Sequence, residues 1–114
     1  MKKGEDPVND PIWRKISSKC YKIKRAKYEY ELCLFKRVTQ LEGGRPVNLG
    51  VYKAEGSDVR DGGVMLFADG GSCWRGPNRN TKVRLECGET EEITFVDEPE
   101  TCSYEMIFRT CALC

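Results

Sequence analysis

Seven cysteines and no histidine occur among the 114 residues of the chain. Zinc sites are usually completed by Cys-x-x-Cys pairs or by cysteine together with histidine. Here Cys111 and Cys114 have that spacing, and no second pair exists to supply four ligands. A redox role for this pair is disfavoured as well, because no helix pattern follows it and no βαβ pattern precedes it. We therefore expect disulfides, no metal and no cofactor, and an oxidising compartment.

The length allows one domain, because a chain of this size buries only about two thirds of its unfolded surface. The net charge of +1 provides no global field for nucleic acid or an anionic membrane, so neither is an expected partner. Charge is nevertheless uneven: residues 1–37 are rich in lysine and arginine, whereas residues 85–114 are rich in acids. The two ends are expected to attract each other across a folded sheet, although solvated faces also explain such runs.

Residues 1–10 are charged, contain Pro7 and lack apolar periodicity, which predicts a flexible leader followed by one domain at residues 11–114. This leader is too polar for a signal peptide, and no apolar run approaches the length of a membrane span. We therefore expect the chain to be a segment of a longer secretory protein.

Apolar residues alternate with polar ones in several short runs, which is typical of half-buried strands. The apolar members of these runs are Tyr28, Tyr30, Leu32 and Leu34; Val47, Leu49 and Val51; Thr81, Val83, Leu85 and Cys87; and Cys102, Tyr104, Met106 and Phe108. Glycine-rich turns separate the runs, and no 3.6-residue apolar period persists. The pattern predicts an all-β fold, a disulfide-stapled flattened barrel or sandwich of antiparallel strands.

Spacing alone does not fix which cysteines pair, but several unusual segments occur in a recognisable order. They are Cys20-Tyr21, Tyr28 to Phe35, Gln40, Leu49-Gly50, Cys73 to Arg79, Val83 to Gly88, Glu98-Pro99, Cys102, Tyr104 and Thr110 to Cys114. In this order and spacing they resemble the mannose 6-phosphate receptor homology (MRH) domain, a P-type lectin fold, over about residues 20–114. Within that family the resemblance is greatest to the module in the β subunit of glucosidase II.

The resemblance implies three disulfides and one free thiol. The implied pairs are Cys20 with Cys33, Cys73 with Cys102, and Cys87 with Cys114. Cys111 is then the odd cysteine, at a position where the family usually has proline. This departure leaves a second pairing open, in which Cys87 takes Cys111 instead.

The resemblance also implies a sugar-binding site made by Gln40, Arg79, Glu98 and Tyr104. A mannose ring has hydroxyls that donate and accept, so its site needs converging donors and acceptors. Glu98 would accept from two neighbouring hydroxyls, and Arg79 would donate while neutralising the glutamate. Gln40 can both donate and accept, which would suit the axial hydroxyl of mannose. The phenol of Tyr104 would lie at the rim of the site.

Each of these residues has a plainer interpretation. Tyr104 lies on the apolar face of its predicted strand, as a core residue would, and Gln40 alone is a polar residue at a strand end. Arg79 and Glu98 each lie in a run of like charges. Trp74 either lies at the edge of the bound sugar or packs under the barrel. Packing is favoured because a tryptophan beside a disulfide often anchors a small core.

Catalysis is disfavoured because a hydrolase that uses histidine as its base is excluded by composition. The expected function is a non-catalytic lectin module that binds terminal mannose of high-mannose N-glycans. By resemblance, its protein partner is the catalytic α subunit of glucosidase II, in the lumen of the endoplasmic reticulum. The alternative is a disulfide-rich protein-interaction module of a secretory-pathway protein that does not bind sugar.

Overall fold

Eight strands form one sheet in the computed structural model, which describes residues 7–114. The strands are β1 (Tyr21–Arg25), β2 (Tyr28–Cys33), β3 (Arg37–Glu42), β4 (Arg45–Asp58), β5 (Val64–Ala68), β6 (Asn80–Cys87), β7 (Glu92–Glu100) and β8 (Ser103–Thr110). Their order in the sheet is β1-β2-β3-β4-β5-β6-β8-β7. The two edge strands approach each other, and the Arg25 Nη2 atom donates to the Thr94 carbonyl at 3.4 Å. The sheet is therefore a nearly closed barrel, and the all-β prediction is confirmed.

One pair of strands departs from the predicted antiparallel arrangement. Six of the seven strand pairings are antiparallel, but β6 and β8 run parallel. The chain leaves β6, places β7 at the sheet edge and returns as β8 between them. Strand β7 runs opposite to β6, and β8 runs opposite to β7, so β8 runs in the same direction as β6. Alternation along a strand does not reveal its direction, so the sequence pattern could not show this.

A short helix precedes the sheet, although no helical period was found in the sequence. This helix, α1, spans Pro11–Ile16, and its first turn is capped by Asp10, whose Oδ1 accepts from the Ile12 amide at 2.9 Å. Trp13 and Ile16 are its buried residues. Six residues are too few for a 3.6-residue repeat to show. Within residues 7–114, no helix has the length and apolar character needed to cross a membrane.

The predicted leader is described in part. Residues 1–6 lie outside the described residues, while Pro7–Asn9 form a 3-10 helix in which Pro7 is buried. Asp10, besides capping α1, forms an ion pair with Arg60, with 3.1 Å between Oδ2 and Nη2. The division into a leader and a domain at residue 11 stays a prediction.

The core lies inside the barrel and is formed by the alternating apolar residues of the strands. Leu32, Val83, Met106 and Phe108 are fully or almost fully buried, and each lies on the face that the sequence pattern predicted. The exceptions are Cys87, which ends its run on β6, and Val51 on β4, and both are exposed. Inward-facing positions that carry polar groups therefore stand out against this apolar lining.

Three disulfides staple the barrel. Cys20–Cys33 joins the residue before β1 to the end of β2, Cys73–Cys102 joins the loop before β6 to the β7–β8 turn, and Cys87–Cys114 joins the end of β6 to the C-terminal residue. These are the three pairs that the resemblance implies. Cys111 is free and exposed, so the alternative pairing of Cys87 with Cys111 is not formed.

Candidate functional site

Gln40 is a polar residue on the inner face of the sheet. It lies on β3 directly opposite Tyr30 of β2, and each residue is 8 % exposed. The Gln40 Nε2 atom donates to the Tyr30 hydroxyl at 3.1 Å. Burying an amide and a phenol is costly unless they are hydrogen-bonded, so each stabilises the other at this position. The Gln40 side chain is thereby held in one orientation, which leaves its carbonyl oxygen for another partner.

Tyr30 is also close to two other residues of the predicted site. Burial raises the pKa of the Tyr30 phenol, the hydrogen bond from Gln40 opposes that rise, and electrostatic interaction with Tyr104, Tyr28 and Glu98 increases it further. Tyr104 and Glu98 therefore lie within electrostatic range of the Tyr30 phenol. Three residues that are far apart in the chain therefore interact with one tyrosine, Gln40 through a hydrogen bond and Glu98 and Tyr104 electrostatically.

Tyr104 is 6 % exposed and lies on β8, opposite Thr81 of β6. Its position on the apolar face agrees with the plainer interpretation that it belongs to the core. Its ring is therefore buried rather than at an exposed rim, and its contact with a sugar stays a prediction.

Arg79 is held by the loop that joins β5 to β6. Two backbone hydrogen bonds, Gly70 N to Arg79 O and Arg79 N to Gly71 O, both 2.9 Å, close the base of this loop. Gly71 N donates to Asn48 O at 2.8 Å, which fixes the loop to β4. The Arg79 Nη1 atom donates to Ser72 O at 2.6 Å. The Nε atom is buried without a hydrogen-bond partner in the described part of the chain.

Glu98 is placed by the turn between β7 and β8. Its Oε2 atom accepts from the Cys102 amide at 2.8 Å. No ion pair joins it to Arg79 within residues 7–114, which differs from the mutual neutralisation that was expected. Each side chain is instead hydrogen-bonded to nearby backbone, Glu98 to Cys102 and Arg79 to Ser72. The two residues are linked through the Cys73–Cys102 disulfide, which ties the Arg79 loop to the turn that holds Glu98.

Trp74 does not pack under the barrel. Its side chain is 81 % exposed, and the guanidinium of Arg75 lies 4.5 Å from the centre of its ring. Arg75 has a φ of 63°, and this turn directs the segment away from the core although Cys73 is anchored. The packing interpretation was wrong, and contact of Trp74 with a sugar stays a prediction.

Sequence reasoning missed Tyr30. It was placed on the apolar face of its strand together with Tyr28 and was read as core. A signal was available, because a buried tyrosine needs a hydrogen-bond partner for its hydroxyl. Gln40 is the inward polar residue of the next strand, and recognising the β2–β3 hairpin would have paired the two.

A cavity of about 420 Å³ lies where the two ends of the chain meet. Lys15 and Lys19 from the basic end line it together with Glu91 from the acidic end, and attraction between the two ends stays a prediction. The Glu91 Oε2 atom accepts from the Cys111 amide and the Thr110 hydroxyl, both at 3.1 Å. These bonds lower the pKa of Glu91, and the neighbouring carboxylate raises the pKa of the Cys111 thiol.

One cluster among the described residues has the composition of a metal site. It consists of Cys20, Glu31 and Cys33. Both sulfurs belong to a disulfide, so they are not free to coordinate a metal ion as thiolates.

Similarity to solved structures defines the class of the fold. The crystal structure of the MRH domain of glucosidase II beta bound to mannose matches with a TM-score of 0.73 and 30 % sequence identity. The match covers 89 % of this chain and 98 % of that chain. The fold is that of an MRH domain, and such a domain is a non-catalytic module.

Sequence similarity defines the family more narrowly. A family model described as glucosidase II beta subunit-like protein matches residues 4–114. Glucosidase 2 subunit beta from Oryza sativa subsp. indica is 42 % identical over 95 residues, which are 83 % of this chain and 15 % of the relative. The subunit from Homo sapiens is 41 % identical over 102 residues, which are 87 % of this chain and 19 % of the relative. The chain belongs to the glucosidase II beta subunit-like family and spans less than a fifth of these relatives.

Proposed function

We propose that this domain is a lectin module that recognises terminal mannose of high-mannose N-glycans. The observation that carries the proposal is the buried hydrogen bond between Gln40 and Tyr30 on the inner face of the sheet, with Glu98 and Tyr104 within electrostatic range of the same phenol. Similarity to an MRH domain that was crystallised with mannose supports it. The four sugar-binding residues remain Gln40, Arg79, Glu98 and Tyr104, and Tyr30 is added as the residue that orients Gln40.

The chemistry of these side chains suits a neutral polyol. Glu98 uses Oε2 for the Cys102 amide, so its other oxygen is available to accept from a hydroxyl. Gln40 donates to Tyr30, so its carbonyl oxygen is available as a second acceptor. Arg79 adds guanidinium donors. Acceptors and donors at fixed positions distinguish hydroxyl orientations, which is how an axial hydroxyl is told from an equatorial one.

The proposed biological role rests on tethering. A shallow site for one or two sugar rings binds weakly, with a dissociation constant roughly near millimolar, which corresponds to about 4 to 6 kcal/mol. A lectin linked to an enzyme raises the local concentration of the glycan without any new contact. By family membership, the enzyme is the catalytic α subunit of glucosidase II, and the compartment is the lumen of the endoplasmic reticulum.

A glycan array with free mannose as competitor tests the proposal. We expect the domain to bind oligomannose and to be displaced by mannose. The substitutions Arg79→Ala and Glu98→Gln should abolish the signal while circular dichroism stays unchanged. Matched controls are Arg84→Ala and Glu105→Gln, because these residues form an ion pair with 3.0 Å between Nε and Oε1 on β6 and β8, and they should leave binding intact.

Other results would contradict the lectin assignment or the residues assigned to it. An absent oligomannose signal, or one that mannose does not displace, would favour the protein-interaction module. Retained binding by Arg79→Ala and Glu98→Gln would show that the assigned residues are wrong. Sugar release by a preparation free of the enzyme subunit would indicate glycosidase activity, which we do not expect.

A further inference from the structure

A separate cavity of about 410 Å³ lies at the hairpin between β3 and β4. Its lining residues are Glu42, Arg45, Pro46 and Val47. This volume lies within the range of about 300 to 1,000 Å³ that is typical of small-ligand sites. None of its residues belongs to the set assigned to mannose above.

Strand register places this cavity directly beside the candidate mannose site. Val47 lies opposite Gln40, and Arg45 lies opposite Glu42. Gln40 and Glu42 are two residues apart on β3 and therefore lie on the same face of the sheet. The step from Gln40 to Glu42 is roughly 7 Å, which is comparable to the length of one hexose unit.

The polar groups of the cavity have the chemistry that a second sugar requires. Glu42 and Arg45 are both exposed, and their side chains offer carboxylate acceptors beside guanidinium donors. Glu42 forms a surface ion pair with Lys27 at 3.5 Å, and such a pair adds little stability. The side chain of Arg45 has no hydrogen-bond or ion-pair partner within residues 7–114. Its donors are therefore available to a ligand.

Apolar atoms complete the cavity. Pro46 and Val47 line it beside Glu42 and Arg45, and Val47 also packs against the core. A sugar ring has an apolar face as well as hydroxyls, so this combination fits a saccharide better than a small ion.

We propose that the Glu42–Arg45 cavity is a second saccharide subsite, which holds the sugar unit linked to the terminal mannose bound near Gln40. This inference rests on the proposed lectin function. It implies that the domain reads a disaccharide rather than a single ring, and that Arg45 and Glu42 contribute to linkage preference.

The test compares one sugar with two. Nuclear magnetic resonance titrations would measure the affinity for methyl α-mannoside and for the α1,2-, α1,3- and α1,6-linked mannobioses. We expect at least one mannobiose to bind the unaltered domain about tenfold more tightly than the monosaccharide, which equals about 1.4 kcal/mol. Arg45→Ala and Glu42→Gln should each remove most of that gain and leave the monosaccharide affinity unchanged.

Arg37→Ala is the matched control, because Arg37 is an exposed arginine at the far end of β3 and faces outward. It should change neither affinity. If the monosaccharide binds and no mannobiose binds more tightly, the subsite proposal fails while the lectin proposal stands. The subsite proposal also fails, with the lectin proposal intact, if Arg45→Ala and Glu42→Gln keep the full gain in affinity for mannobiose. An unaltered domain that binds neither kind of sugar overturns the lectin function, and the subsite with it.

Discussion

The amide of Gln40 donates to the hydroxyl of Tyr30 across the β2–β3 hairpin, at 3.1 Å and in a buried setting. The two residues are direct cross-strand neighbours, so the hairpin itself fixes their relative position. Because the phenol oxygen takes up the amide donor, the carbonyl oxygen of Gln40 points to a different partner. In the proposed function, Tyr30 therefore determines which atom of Gln40 a sugar would meet.

Tyr30→Phe tests this relationship. The substitution leaves the buried amide of Gln40 without its acceptor, which costs about 1 to 3 kcal/mol, and it allows the side chain to rotate. We expect mannose affinity to fall about fivefold or more, with the fold retained. Titration with methyl α-mannoside and circular dichroism would measure the two quantities.

The matched control is Tyr21→Phe. The Tyr21 hydroxyl donates to the Ile16 carbonyl at 2.7 Å, also in a buried setting, but Tyr21 lies at the cavity where the chain ends meet. This variant should lose about 1 kcal/mol of unfolding free energy and keep its affinity for mannose. Equal loss of affinity in both variants would show that the effect of Tyr30 is one of general stability.

Local patterns predicted those parts of the fold that depend on one strand at a time. The inward positions of β2, β6 and β8 follow directly from alternation, because the period of two decides which side chains are buried. The parallel pairing of β6 with β8 depends on where β7 lies, which no single run encodes. Helix α1 escaped detection because its six residues contain only two buried positions, which are too few to show a period.

The site was less accessible to sequence reasoning than the fold. Gln40, Arg79, Glu98 and Tyr104 were chosen through a family resemblance, since each residue taken alone has an ordinary explanation. Tyr30 was missed because its role depends on cross-strand register. The exposure of Trp74 depends on the conformation of a loop, and the adjacent disulfide gave no indication of it.

Gly70 and Gly71 offer a matched pair for the loop that positions Arg79. A Cβ atom on Gly70 would lie 2.6 Å from Arg79 O and 2.7 Å from Asn48 O, and backbone atoms cannot move aside cheaply. We expect Gly70→Ala to lower the unfolding free energy by about 1 to 3 kcal/mol and to weaken mannose binding. Urea unfolding and sugar titration would measure both effects.

Gly71→Ala should be nearly neutral. There the nearest atom to a Cβ is Asn48 O at 3.6 Å, which is ordinary van der Waals contact. If both alanine variants bind mannose normally, the loop does not need its present position to present Arg79.

The Cys73–Cys102 disulfide is expected to serve binding as well as stability. It joins the Arg79 loop to the residue whose amide Glu98 accepts from. Replacing both cysteines by serine should cost about 3 to 4 kcal/mol on a chain-entropy estimate and should also weaken mannose binding. Loss of Cys20–Cys33 should cost a similar amount, about 3 kcal/mol, without altering the affinity of the folded fraction. Equal mannose affinities in the two double variants would show that the Cys73–Cys102 disulfide does not contribute to binding.

Glu91 predicts a small dependence of stability on pH. The Cys111 amide, followed by the side chains of Cys111 and Thr110, holds the pKa of this carboxyl below its ordinary value of about 4.3. A group whose folded pKa is lowered stabilises the fold above its unfolded pKa, and that contribution is lost as the pH falls through the folded pKa. The stabilisation is therefore present at neutral pH and disappears in acid.

Urea unfolding between about pH 3 and pH 6 would measure this contribution. We expect Glu91→Gln to lower the unfolding free energy at the upper end of that range and to reduce its decline in acid. The difference should stay below about 1 kcal/mol, because solvent screens this largely accessible carboxylate. Glu92→Gln is the control: this neighbour is exposed and, within residues 7–114, has no hydrogen bond to either Thr110 or Cys111. A Glu91→Gln curve that parallels the unaltered protein throughout would show that these bonds do not stabilise the C-terminal turn.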